Sequence, residues 1–311
     1  CTEELDKGRD PYVSFWRGFA YSQEGSLIEA IRDIEPLQNI DDYRYSSLCC
    51  LLYIHGLYSN PDESKMDQIR MQLDMDSCNR NDCLNAMRLC IYLKDDEQYS
   101  LLQEKLNTFR GSQGEELIIK GWKSLDEDNH SSWEEAKNEF LEYEKEFGSD
   151  NLDVTFGKLK ALEQIETNKK NKSYEEILDI YTDAIKQNQD FLPLHIERVK
   201  IYLLKNDYDS ANDYITSKLN QANNFELFKI LALCNLMQDG DFKSASYNLN
   251  KMWEIMQQVE QKNHNLFYIT ALLFESISDK NIEILQIAEK LIDKALEYNP
   301  KEPKYLMEKG Y

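Results

Sequence analysis

Apolar positions in this 311-residue chain repeat at a long interval. Tyr174, Tyr208 and Phe242 stand 34 residues apart, as do Ile177, Ala211 and Ala245, and Tyr181, Ile215 and Leu249. Three registers advancing together by 34 are the period of the tetratricopeptide (TPR) helix-turn-helix unit. Val199 and Leu233, followed by Tyr202 and Leu236, keep the same register in the preceding helices. The first segment matches the unit most closely, with Gly18, Tyr21, Gly25, Ala30 and Ile34 at the expected offsets. The chain is therefore expected to be all-α, a TPR-like α-solenoid in which stacked helix pairs build a right-handed superhelix.

The registers divide residues 1–311 into one continuous solenoid with repeats near 10–40, 43–75, 81–109, 114–147, 151–187, 192–221, 225–258 and 264–300, and a further start at 303–311. Segment 43–75 predicts a first helix over Tyr43–His55, a Ser59–Asp62 turn, and a second helix over Ser64–Met75. Pro61 before Asp62 and Glu63 is a helix-start signal. Cys1–Lys7 is expected to be the tail of an earlier helix before a Gly8–Pro11 turn. Gly111–Gly114 is expected to be an inter-repeat turn, and Thr167–Ser173 a polar loop within a repeat. Neither end offers a polar capping repeat, so both ends are expected to be truncated.

Small residues belong where the two helices of a unit cross. Gly18, Ala30, Ala136, Ala211, Ala245 and Ala288 are assigned that packing role. The first helix of each unit should line a groove, its second, fifth, ninth and twelfth positions facing inward. That places Tyr12, Phe15 and Phe19 in one groove segment, and Leu227, Ile230, Cys234 and Met237 in another, as a candidate protein-binding surface.

Composition narrows the fold further. Eleven glycines, six prolines and four valines leave few turn and strand formers, while residues that keep their rotamers in a helix abound. The net charge of −21 repels phosphate backbones and anionic lipid, so nucleic acid and membrane surfaces are not expected partners. No run reaches 18 apolar residues, so no membrane insertion is expected. Seven scattered cysteines form no secreted disulfide framework, which fits a reducing compartment.

Catalytic signatures fail one by one. There is no phosphate-binding Gly-rich loop followed by Lys-Ser/Thr, no His-Glu-x-x-His and no Gly-x-Ser-x-Gly. The acidic run 126–130 resembles a Ca²⁺ loop, but Ser131 stands where Gly is required and Lys137 where the bidentate acid is required. It is expected instead to be a loop, with Ser131 or Ser132 capping the next helix. Cys78, Cys83 and Cys90 lack zinc spacing, and His55, His130, His195 and His264 lie in separate segments. No cofactor, metal or catalytic residue is expected. A carboxylate clamp for peptide ends would need clustered basic groove positions, and Lys200 alone supplies one.

Gly8-Arg9-Asp10-Pro11, Gly25, Ala30, Ser47-Leu48-Cys49, His55 and Asn60-Pro61-Asp62, followed by Phe191-Leu192-Pro193, Gly240-Asp241, Asn265–Tyr268 and Asn299-Pro300, resemble the tetratricopeptide repeat protein 21 family across nearly the whole chain. The resemblance implies a large non-enzymatic subunit of intraflagellar transport complex A, which supports retrograde ciliary transport and cargo entry. It implies the other subunits of that complex, neighbouring transport-train components and ciliary membrane cargo adaptors as partners. It also implies the cytoplasm, the cilium and its base, with axoneme and basal body, as location. The alternative is a generic TPR adaptor that captures a peptide or helix.

Overall fold

The computed structural model describes residues 10–110, 114–127, 129–169, 173–218, 222–238, 240–259 and 263–310. Among these there are seventeen α-helices, two 3-10 turns and no strand. The expected helix tail at Cys1–Lys7, the Gly8-Arg9 start of its turn, Gly111–Gln113, Asp128, Asn171-Lys172 and Tyr311 lie outside the described residues. The chain divides into two compact units, residues 1–173 and 174–311, where the repeat register predicts one run. The boundary falls inside the expected repeat 151–187, at the polar loop between its two helices.

The first unit holds nine helices: α1 (Pro11–Gln23), α2 (Leu27–Ile34), α3 (Arg44–Gly56), α4 (Glu63–Gln72), α5 (Arg80–Leu93), α6 (Asp96–Leu106), α7 (Gly114–Asp126), α8 (His130–Phe147) and α9 (Leu152–Thr167). Helices α1, α3, α5 and α7 each pack on the helix that follows, α8 packs on α9, and α3–α5, α5–α7 and α7–α9 also touch. This is the neighbour-to-neighbour pattern of a repeat stack. The second unit holds α10 (Glu175–Gln187), α11 (Leu192–Leu204), α12 (Tyr208–Lys218), α13 (Phe225–Gln238), α14 (Phe242–Val259), α15 (His264–Ile277), α16 (Ile282–Tyr298) and α17 (Pro303–Gly310). Helices α10 to α14 pack in order, as do α15 to α17, and α14 packs on α16.

Helix starts follow from capping chemistry. Asp10 accepts the Tyr12 N–H at 2.9 Å, with Pro11 in the first turn, and Asp62 accepts the Lys65 N–H at 3.1 Å. The start of α8 departs from the serine caps expected from sequence. Asn129 is the cap and accepts the Ser132 N–H at 3.0 Å, while Ser132 Oγ donates to Glu127 at 2.8 Å. With Asn129 at the cap the helix begins at His130, so Ser131 and Ser132 fall in its first turn. The α4 helix ends at Gln72, and Met75–Ser77 forms a 3-10 turn, so the predicted end at Met75 runs three residues too far.

Small residues set the packing. Gly18 and Ala30 are buried where α1 crosses α2, and a Cβ on Gly18 would stand 2.7 Å from Ile34. Ala136, Ala211, Ala245 and Ala288 are also buried. The tightest crossing lies in the first unit, where the fully buried Phe140 of α8 is wedged between Gly121 of α7 and Gly157 of α9. A Cβ on Gly121 would sit 2.6 Å from the ring, and one on Gly157 closer still. Two polar devices tie the first unit together. Arg17 grips Asp33 through two bonds of 2.5 and 2.6 Å, joining α1 to α2. The fully buried Asp82 of α5 accepts the N–H groups of Tyr45 at 2.6 Å and Ser46 at 2.8 Å, satisfying the exposed start of α3 from the next repeat. Burial pushes the Asp82 carboxyl above its ordinary value, and the bonds from Ser46 and Tyr45 pull it back.

Gly157→Ala is expected to destabilise the first unit by about 1–3 kcal/mol through overpacking. Adding Phe140→Leu should recover part of that loss, and urea denaturation followed by helical circular dichroism reads both variants. Asp82→Ala, which strands two backbone donors, should lower stability by about 2–4 kcal/mol, and Asp82→Asn, which keeps an acceptor, by less. Equal midpoints for the two Asp82 variants would show that the cap contributes nothing.

Candidate functional site

The inward faces of α1, α5, α7 and the first turn of α9 enclose a cleft of about 730 Å³ in the first unit. Helical spacing puts its wall residues there in sets: Tyr12 and Trp16 are four apart, Arg88 and Tyr92 are four apart, and Ile119 and Trp122 are three apart. The alternate positions turn into the core. Phe15 and Phe19, predicted for the groove, are buried in the cluster with Ala30, Ile34 and Leu51, and only Tyr12 of the three is exposed. In the second unit Leu227, Ile230 and Cys234 are likewise buried, with Val199, Ala211 and Ile215, while Met237 is 51% exposed. Those five positions are core, because the helix turns about one residue further than the generic register assumes. A rotation of one residue is 100°, enough to exchange groove for core.

Aromatic rings form the cleft's wall. Trp16 meets Tyr92 edge-on at 5.5 Å between centroids, and Phe19 meets Tyr92 at 5.6 Å. The first helix of the first pair thus reaches the first helix of the third pair directly. Tyr92 is 65% exposed, yet desolvation pushes its hydroxyl above the ordinary value, helped by the Asp153 charge and opposed by Arg88. Trp122 packs edge-on against Phe140 at 5.8 Å, so the glycine-flanked wedge holds this wall in place.

Charges in the cleft are unevenly satisfied. The Trp122 indole N–H donates to Asp153 Oδ1 at 2.9 Å, and Lys94, which ends α5 with φ 57°, pairs with Asp126. Arg88 comes only within 3.8 Å of Asp153 Oδ2. Aromatic and aliphatic side chains line the cleft together with Arg88, Lys94, Asp126 and Asp153, the mixture of apolar wall and few polar groups that binding sites present.

Elsewhere the candidate chemical groups are occupied structurally. His195 bridges the Tyr214 hydroxyl and the Gln189 carbonyl, each at 2.8 Å, and His264 meets the Tyr305 hydroxyl at 2.7 Å. Lys200 lies between Glu197 at 2.8 Å and Glu226 at 3.3 Å. Among the described residues no cluster of His, Cys, Asp or Glu could hold a metal ion, and no helix is long and apolar enough to cross a membrane. Trp16, Arg88, Tyr92 and Trp122 were not foreseen. The i, i+4 pairing of Tyr12 with Trp16 is a legible signal for the first wall, but Arg88 and Tyr92 fall in segment 81–109, outside the registers that advance by 34 residues.

Residues 1–212 match the model of the tetratricopeptide repeat protein 21 N-terminal ARM repeat, and residues 247–311 that of the second ARM domain of the same protein. The chain belongs to the tetratricopeptide repeat protein 21 family. It is 25% identical to mouse tetratricopeptide repeat protein 21B over 307 residues, covering 97% of this chain and 23% of the relative. The human 21B protein is 25% identical over 309 residues, and the Caenorhabditis elegans homolog 22% over 312. The chain thus spans about a quarter of the length of these relatives (23% in each). Membership places the cleft in a helical repeat scaffold, whose asset is extended surface.

Cys50, Cys90 and Cys234 are expected to be inert. Burial pushes Cys50 and Cys90 up to about 12 and Cys234 up to about 11. At pH 8 only about one thiol in a thousand or fewer would then be the reactive thiolate. Iodoacetamide should leave these three unmodified in the folded protein over a time that labels them fully in urea, read by peptide mass spectrometry. Prompt labelling of any of them would contradict the packing described.

Proposed function

We propose that this chain is part of a non-catalytic scaffold subunit of intraflagellar transport complex A, supporting retrograde transport and cargo entry in cilia. The observation that supports the binding role is the aromatic cleft of the first unit, walled by Tyr12, Trp16, Tyr92 and Trp122. Exposed Tyr12 and Tyr92 beside Trp16 and Trp122 match the composition of interface hot spots, where aromatic side chains supply most of the energy. Support for the particular complex is family membership together with the sequence features that resemble the family. The other subunits of that complex are the proposed partners, with train components and membrane cargo adaptors beyond them. The proposed locations are the cytoplasm, the cilium and the ciliary base.

A generic peptide adaptor is the second candidate, and its basic clamp finds no match at Lys200, which two glutamates hold. The full-length protein carrying Tyr12→Ala with Tyr92→Ala should recover its partner subunits from ciliated cells at least roughly tenfold less well than wild type. Tyr247→Ala, at a 62% exposed position of the second unit, is the matched control. Recovery of partners undiminished by the cleft variant would reject the cleft as the interface. Recovery of no intraflagellar transport subunit by wild type would reject the assignment to that complex.

A further inference from the structure

The first-unit cleft has more donors than acceptors. Arg88 carries five N–H groups and makes no hydrogen bond to any other described residue; its one ion pair, to Asp153, is long at 3.8 Å. Its side chain is 24% exposed, so it is partly desolvated without being covered. The Trp16 indole N–H is buried and also lacks an acceptor. Asp153 Oδ1 accepts the Trp122 indole N–H, and Asp126 is paired with Lys94, while Asp153 Oδ2 stands too far from Arg88 for a hydrogen bond. A half-buried guanidinium with unfilled donors, flanked by Tyr92 and Trp122, is set to receive a planar anion whose neighbours are apolar.

We infer that the cleft seats a partner peptide segment presenting an aspartate or glutamate side chain to Arg88, with apolar residues on either side of the acid packed against Tyr12, Tyr92 and Trp122. The inference rests on the binding role proposed above and specifies its chemistry. Charge complementarity chooses the occupant. Lys94 and Asp126 cancel each other, whereas Arg88 and Asp153 are only loosely coupled, so a carboxylate forming two short bonds to Arg88 improves on the contact it replaces. A lysine- or arginine-bearing segment meets the guanidinium as a like charge. The chain's net charge of −21 opposes any acid at long range, but beyond about 8 Å it is screened at physiological ionic strength.

The test uses the 311-residue chain and three fluorescein-labelled nonapeptides with amidated C-termini. They are identical except for a central Glu, Gln or Lys flanked by Leu and Phe, and fluorescence anisotropy reads binding. The Glu peptide should bind roughly tenfold or more tightly than the Gln peptide, and the Lys peptide weakest. Arg88→Gln should erase the Glu-over-Gln preference. Arg88→Lys should keep part of the preference, and Lys186→Gln, at an exposed position that does not line the cleft, all of it. Equal binding of the Glu and Gln peptides, tightest binding of the Lys peptide, persistence of the preference in Arg88→Gln, or no binding by any peptide would each overturn the inference. The binding role stands or falls separately, on whether the Tyr12 and Tyr92 variant loses partners in the recovery experiment, which uses no chosen peptide.

Discussion

How closely two helices approach is decided in this protein by side chains of one carbon or none. Helix axes usually lie 8–10 Å apart, and the lower end needs small residues at the crossing. Gly18 against Ile34, and Gly121 with Gly157 around Phe140, are such crossings, and the buried alanines at 136, 211, 245 and 288 mark others. The consequence reaches the surface. Trp122 follows Gly121 directly, so once Phe140 seats between its two glycines the indole is held edge-on to it. The same indole then holds Asp153 in place. A core contact therefore fixes both an aromatic wall and a charge of the cleft.

A stack of helix pairs has only neighbour contacts to hold its alignment. Here polar bridges of long sequence separation supplement apolar packing between the second and third pairs. Asp82 caps α3 from within α5, and three asparagines near the start of α5 hold Asp42, just before α3: Asn79 at 2.9 Å, Asn81 at 3.3 Å and Asn85 through the backbone carbonyl at 3.0 Å. Directional bonds of this kind specify one arrangement where apolar contact would tolerate several. They orient α5 relative to α3, and α5 carries Arg88 and Tyr92. Tyr92 meets Trp16 because the intervening pair is pinned on both sides.

Periodicity in the sequence made the helical stack legible, and the six small residues assigned to helix crossings are buried. Those features depend on residue size at a fixed interval, which survives in a single chain. The groove was displaced because it depends on rotation. Phe15 and Trp16 are adjacent and both aromatic, and nothing in their identity says which faces the core. In the structure Phe15 is fully buried and Trp16 lines the cleft. Arg88 and Tyr92 were invisible for a different reason. Their helix is aligned by Asp82 and the Asp42 bonds, contacts between residues 36 to 43 apart that follow no repeat register.

The acid excess and the unfilled Arg88 guanidinium together constrain what the cleft can hold. With 57 acids against 36 bases, the field of the chain as a whole is negative. A uniformly acidic segment would be slowed on approach by that field, and a basic one would be drawn in but meet Arg88 at the floor. Complementarity at both ranges is met by a segment that is neutral or basic overall and carries one acid between apolar residues. Such a pairing of long-range repulsion with one local attraction discriminates partners more sharply than either alone, because a wrong partner fails on one count even when it satisfies the other.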